Sequence, residues 1–107
     1  VVLVDFGFSG SSGSKKRPAY VLSSRAFQRH RRQVILGAIT SRLDARFPGD
    51  RLIKDWRAAG LHHPSRATAV LRTVSISLIE KPIGRLSDAD LDGLLGELRP
   101  VLGFQHG

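Results

Sequence analysis

The chain has no cysteine, and it has only nine acidic residues against seventeen lysines and arginines. Without a thiol there is no disulfide framework, no thiolate metal site and no cysteine nucleophile, so packing alone must hold the fold. Long apolar runs are missing as well. No segment approaches the roughly 20 residues that span a bilayer, and the opening VVLVDF lacks a signal-peptide layout, so the expectation is a soluble, cytoplasmic protein with no membrane partner. What is present is ordinary globular composition: 41% hydrophobic and 24% charged in 107 residues. That is the size of a single domain, 1–107, with one modest core.

The charge imbalance is the most informative feature. A net charge of +8 and an isoelectric point near 11.3 imply a polyanionic partner: nucleic acid, an acidic peptide or an anionic surface. The charge is also uneven. Nine Lys or Arg residues lie between Ser14 and Arg46 against one acid, Asp44, whereas Ser87 to Glu97 carries Asp88, Asp90, Asp92 and Glu97 with no base.

Along the chain, VVLVDF (1–6) predicts a first strand. Gly7 to Ser14 is a glycine- and serine-rich loop that ends in Lys15, Lys16 and Arg17. Pro18 then sets its own φ and pushes Arg17 toward an extended conformation, so a planar five-donor guanidinium leaves a stiffened backbone, a geometry suited to phosphate. AYVLSS (19–24) predicts a second strand. RAFQRHRR (25–32) is either a solvated loop or an electrostatic guide for a nucleic-acid backbone. QVILGAIT (33–40) predicts the most apolar and central strand; Gly37 within it marks a bulge or a close approach to the backbone. Thr40 and Ser41 place two hydroxyls at the strand end, where they either cap a turn or enter a site.

Residues 42–66 are irregular, with a strand or hairpin piece expected near Leu52 to Trp56 and a turn at Gly60. Trp56 is either a core or rim packing residue or a base-stacking platform. ATAVLRTVSISLI (67–79) predicts one long or two short strands. Ser87 with Asp90 three residues later opens a helix, about 87–102, whose aspartates complement the dipole. Leu91, Leu94, Leu95, Leu98, Val101 and Leu102 share one face of it, Pro100 weakens its last turn and Gly103 stops it. Several short strands followed by one helix, without βαβ alternation, indicate a mainly β, α+β fold: a small antiparallel barrel or α+β domain with a C-terminal helix packed on it.

RPAYVLSS, LGAITSR, DWRAAGLHHPS and TVSISLIEKPIGRLSDADLDGLLGELRPVLG resemble, in that order and spacing, the PemK/MazF family of toxin endoribonucleases from toxin–antitoxin modules. The likeness covers nearly the whole chain, with IGRLSDADL its most specific piece. It implies an SH3-like barrel, a homodimer, an RNase acting on single-stranded RNA without metal or cofactor, and a cognate antitoxin with an acidic disordered tail. It also implies a catalytic pair, Arg17 and Thr40, with Lys15, Lys16, Ser41, Arg42, Ser65 and Arg66 as surrounding RNA-binding residues. The implied reaction is attack of a ribose 2′-OH on the adjacent phosphorus.

Two positions depart from the family pattern. Gly7 follows Phe6 where many relatives carry proline, and Thr68 stands where relatives tend to carry a base, leaving Arg66, Thr68 or a histidine as the third contributor. His62 and His63, with His30 and His106 elsewhere, raise acid–base catalysis by imidazole as a rival mechanism. A second reading keeps the barrel and removes the cleavage: a CcdB-like toxin that binds a topoisomerase.

Overall fold

The computed structural model describes residues 1–5 and 16–104. The glycine–serine segment, Lys15 and His106 lie outside the described residues. Six strands form one antiparallel sheet: β1 (Val2–Asp5), β2 (Lys16–Val21), β3 (Gln33–Thr40), β4 (Arg51–Leu52), β5 (Arg66–Ser75) and β6 (Ile79–Pro82). Their spatial order is β4-β5-β3-β2-β1-β6. Helix α1 (Arg25–Arg31) joins β2 to β3, and α2 (Asp88–Val101) follows β6. The mainly β fold with a C-terminal helix is therefore as the sequence indicates. The hydrogen-bonded ladder does not close on itself.

The two free edges are instead drawn together by backbone packing. A Cβ on Gly60, where φ is +82°, would stand 1.8 Å from the carbonyl oxygen of Ile83, and one on Gly84 would stand 2.2 Å from the carbonyl carbon of Ala59. The turns after β4 thus press directly on the segment after β6, at a separation only glycine permits.

Apolar side chains cover both faces of the sheet. Tyr20, Ile39, Ile53, Ala67, Leu94 and Leu98 form one cluster beneath α2, and Val2, Val4, Ala19, Val34, Leu36 and Val74 form another. Burying a side chain such as Leu94 or Leu98 stabilises the fold by about 2 kcal/mol. The predicted apolar face of α2 is only partly used, because Leu91, Val101 and Leu102 remain exposed. The end of α2 carries a Schellman motif: Gly103 at φ +83° lets its own N–H reach the Pro100 carbonyl at 3.3 Å and the Phe104 N–H reach the Arg99 carbonyl at 2.7 Å.

Three expectations are corrected and one choice is resolved. Residues 25–31 are a helix rather than a loop, because the Ser24 hydroxyl accepts the Phe27 N–H at 3.2 Å and Arg32, at φ 53°, closes the other end. The strand near Leu52 to Trp56 shrinks to Arg51–Leu52, since Ile53 turns inward and residues 54–60 are turns. β2 begins at Lys16, so Arg17 and Pro18 belong to the strand itself. The 67–79 segment is one long strand, β5, then a single 3₁₀ turn over Ile76–Leu78 before β6. Trp56 packs half-buried against the core, with the Arg57 guanidinium 4.4 Å from its ring centroid.

Candidate active site

Strand register brings Arg17 and Thr40 together. Arg17 pairs with Val4 of β1, and Ala19 pairs with Ala38 of β3. Continuing that second offset toward the start of β2 sets Arg17 beside Thr40. Both side chains line one cavity of about 520 Å³, together with Ser41, Arg42, His62, His63 and Ser65. Lys16 and Lys81 complete a set of four cations there, and no carboxylate among the described residues lines it. A low-dielectric wall bearing charge of one sign concentrates polyanions.

Each polar group has a definite local setting. The Thr40 Oγ1 accepts the Arg42 N–H at 3.1 Å, which engages a lone pair and leaves the hydroxyl hydrogen free to donate. Turn-capping and site-facing roles therefore coincide in one hydroxyl. The Arg17 side chain makes no ion pair or hydrogen bond among the described residues, although its backbone sits in the β1–β2 ladder. Lys16 donates to Glu80 at 2.8 Å, and this hydrogen bond and charge hold its ammonium above the ordinary lysine value. Ser65 is buried, and its hydroxyl donates to the His63 carbonyl at 2.8 Å, folding the histidine loop over the cavity. Arg42 is exposed, with Asp44 3.7 Å away.

Two residues considered as contributors lie elsewhere. The Arg66 Nε donates to the Arg42 carbonyl at 2.8 Å, and its Nη1 is ion-paired with buried Asp50. Arg66 thus ties down the 41–50 loop and does not line the cavity. Thr68 is buried; its hydroxyl donates to the Ala38 carbonyl at 2.8 Å, at the register shift between Gly37 and Ile39. It supports the bulge two residues before Thr40 and stays out of the cavity.

Gly37 meets both of its expectations. The bulge follows it directly, and a Cβ there would stand 1.9 Å from Cζ of Tyr20, whose ring lies against its backbone. The Tyr20 hydroxyl donates to the Thr68 carbonyl at 2.6 Å, so tyrosine, threonine and bulge form one brace behind the end of β3.

Lys81 is the cavity cation that sequence reasoning missed. It pairs with Leu3 through β6, and Leu3 pairs with Pro18, so its place depends on the far end of the chain folding back onto β1. No local pattern around it carries that information. Among the described residues, no group of three or more His, Cys, Asp or Glu side chains stands together to hold a metal ion. No helix among them is long and apolar enough to cross a membrane.

The chain is thus a small antiparallel β fold with a C-terminal helix, whose strand ends converge on a cationic cavity. The family model for the PemK-like, MazF-like toxin of type II toxin-antitoxin system matches residues 1–102, and the chain belongs to that family. Among solved structures it is similar to an endoribonuclease from a mycobacterial species in complex with its cognate antitoxin, with a TM-score of 0.79 and 17% identity over 99% of this chain and 93% of that one. It is also similar to the Mycobacterium tuberculosis toxin MazF-mt6, with a TM-score of 0.76 and 16% identity over 99% of this chain and 100% of that one. A third similar structure is a MazE-MazF complex from Deinococcus radiodurans, with a TM-score of 0.78 and 21% identity over 97% of this chain and 92% of that one. At these identities the likeness is one of fold. Comparison with curated proteins finds no match.

Proposed function

We propose that this chain is an endoribonuclease that cuts single-stranded RNA between Arg17 and Thr40. The observation that supports it most is that these two side chains, set on different strands, line one cationic cavity without a described carboxylate. In the reaction, a ribose 2′-oxygen forms a bond to the adjacent phosphorus while the bond to the 5′-oxygen breaks. The products are a 2′,3′-cyclic phosphate and a 5′-OH. The nucleophile is supplied by the substrate itself, so the protein's task is to hold the phosphate and stabilise the charge that accumulates on it.

Arg17 binds the non-bridging oxygens through its fork, and the Thr40 hydroxyl donates to the same group. A guanidinium stays protonated, so Arg17 is a poor base for the 2′-OH. His62 and His63 line the same cavity, and this placement favours a version in which an imidazole takes the 2′ proton or returns one to the 5′-oxygen.

The test is incubation of the purified protein with a long single-stranded RNA in EDTA, followed by analysis of the ends. Discrete fragments ending in cyclic phosphate are expected. Intact RNA from a folded protein overturns the proposal and favours the CcdB-like, non-cleaving reading. Arg17→Ala and Thr40→Val each remove one preorganised donor and lower the cleavage rate about a hundredfold or more, with unchanged thermal unfolding for Arg17→Ala and a loss of about 1 kcal/mol for Thr40→Val, whose hydroxyl also accepts the Arg42 N–H. Equal losses in His62→Ala or His63→Ala would assign the proton transfers to that imidazole.

The partners follow from the same cavity. Its charge suits an acidic, disordered segment of a cognate antitoxin that competes with RNA for Arg17 and Lys81, and the active unit is a homodimer. Sedimentation of the free chain measures the second point, and displacement of labelled RNA by an acidic peptide measures the first.

A further inference from the structure

Arg66, at the start of β5, pairs with Thr40 of β3 on one side and with Leu52 of β4 on the other, so its backbone is held from both directions. Its side chain is 11% exposed, and its planar fork serves two partners at once. Nε donates to the Arg42 carbonyl at 2.8 Å, and Nη1 is ion-paired with Asp50. Asp50 is itself fixed. Its Oδ2 accepts the Phe47 N–H at 2.8 Å, and its own N–H donates to the Phe47 carbonyl at 3.1 Å. The turn that carries it is pressed onto β5: a Cβ on Gly49, at φ +92°, would stand 2.6 Å from the Cβ of Ala69.

Arg42 is where this anchor meets the site. Its carbonyl is taken by Arg66, and its N–H donates to Thr40 Oγ1 at 3.1 Å. The two peptide groups flanking one Cα are therefore tied to the buried pair on one side and to the site hydroxyl on the other. A threonine side chain has three staggered wells, and the Arg42 N–H selects one of them. The Arg42 side chain is exposed, with Asp44 3.7 Å away, and does not bury the turn. Arg66 does not line the cavity that holds Arg17 and Thr40, so it reaches the phosphate only through this turn.

We propose that Arg66 is a positioning residue for the cleavage: anchored on Asp50, it holds the Arg42 peptide so that the Thr40 hydroxyl points at the phosphate bound beside Arg17. The proposal rests on the RNA-cleavage reading but makes its own claim about the conformation of Thr40. A merely structural ion pair would stabilise the 41–50 loop without selecting a rotamer of Thr40. A direct grip on RNA fits less well, because the guanidinium is nearly buried and turned to Asp50. Small misplacements of a catalytic group are costly in rate, which is why so indirect a contact matters.

The experiment compares wild type, Arg66→Lys, Thr40→Val and the double variant. Arg66→Lys keeps a positive charge opposite Asp50 and gives up the fixed fork. Steady-state cleavage of a single-stranded RNA gives kcat and KM, and three-bond NMR couplings give the Thr40 χ1 rotamer. Arg66→Lys is expected to lower kcat about tenfold with KM unchanged, and to cause no further loss once Thr40 is valine. The couplings should fit one rotamer in wild type and an average of several in Arg66→Lys. Wild-type kcat and couplings in Arg66→Lys overturn the proposal. So does an equal fractional loss with threonine or valine at position 40, and so does a rise in KM alone, which would make Arg66 an RNA contact. If Arg66→Lys does not fold, Arg66→Met combined with Asp50→Asn removes both charges together and is measured in the same way. If the wild-type protein cuts no RNA, the cleavage reading falls, while the couplings still decide whether Arg66 sets Thr40: one unchanged rotamer in both proteins means that it does not.

Discussion

Asp90 occupies the first turn of α2 like any dipole-complementing aspartate, yet its carboxyl group is turned inward and is 1% exposed. Its Oδ1 accepts the Lys54 N–H at 3.0 Å and an Arg51 N–H at 3.1 Å, and its Oδ2 accepts the Asp55 N–H at 2.9 Å. Burial by itself would raise its pKa; the N–H groups of Asp55 and Lys54, then Arg51 and Ser87, outweigh that and hold it below the ordinary carboxylate value. A group lowered in this way contributes fully above the unfolded-state value, near 4, and its contribution is lost as pH falls through the folded one. Asp90→Ala is expected to cost about 3 kcal/mol at pH 7 by leaving three donors unmet. In urea titrations the gap between variant and wild type should narrow below about pH 4, and a constant gap would contradict the assignment. Tyr20 works in the opposite direction. Burial pushes its phenol up to about 12. Between pH about 10 and about 12 the unfolded chain ionises first, so stability falls by about 2–3 kcal/mol as pH rises. Tyr20→Phe should abolish that alkaline fall while losing about 1 kcal/mol at neutral pH, the worth of the hydroxyl's bond to Thr68.

Among the elements, the β2–β3 hairpin bears the most constraint, because Tyr20 pairs with Gly37 and lays its ring over it. Gly37→Ala should cost about 2–3 kcal/mol by overpacking. The same change made in a Tyr20→Ala background should cost clearly less, and a double-mutant cycle showing additivity would refute the ring contact. Its two strands were legible beforehand, since the short apolar runs AYVLSS and QVILGAIT, the internal glycine and the Arg-Pro step each carry a local signal, whereas their pairing was not. So was α2, through Ser87, the leucine spacing and Gly103. Helix α1 was not, because its seven residues bury no side chain fully and so show no apolar stripe. Nor was the two-residue β4. Leucine spacing names a stripe on α2, but only the length of sheet beneath it decides that Leu94 and Leu98 are buried while Leu91 stays exposed.

For the whole molecule, the candidate site is a product of topology more than of any one segment. β2 brings Arg17, β3 brings Thr40, the loop before β5 brings His62 and His63, and β6 brings Lys81 from the other end of the chain. Motifs therefore disclosed the arginine and the hydroxyl, while the lysine and the histidines' place in the same cavity had to await the fold. The acidic residues of α2 lie outside this lining, and although Glu80 and Asp44 pair with Lys16 and Arg42, Arg17 and Lys81 keep their charge uncompensated by any ion pair among the described residues. Electrostatic binding of this kind releases counterions, and for single strands the log–log slope of affinity against salt changes by about 0.7 for each phosphate contact. Lys81 makes no ion pair among the described residues and is exposed, so Lys81→Ala should leave the unfolding midpoint unchanged. Binding of an uncleavable RNA, titrated across salt concentrations, should lose about 0.7 from its slope in that variant. An unaltered slope would mean that the phosphate backbone does not pass over β6.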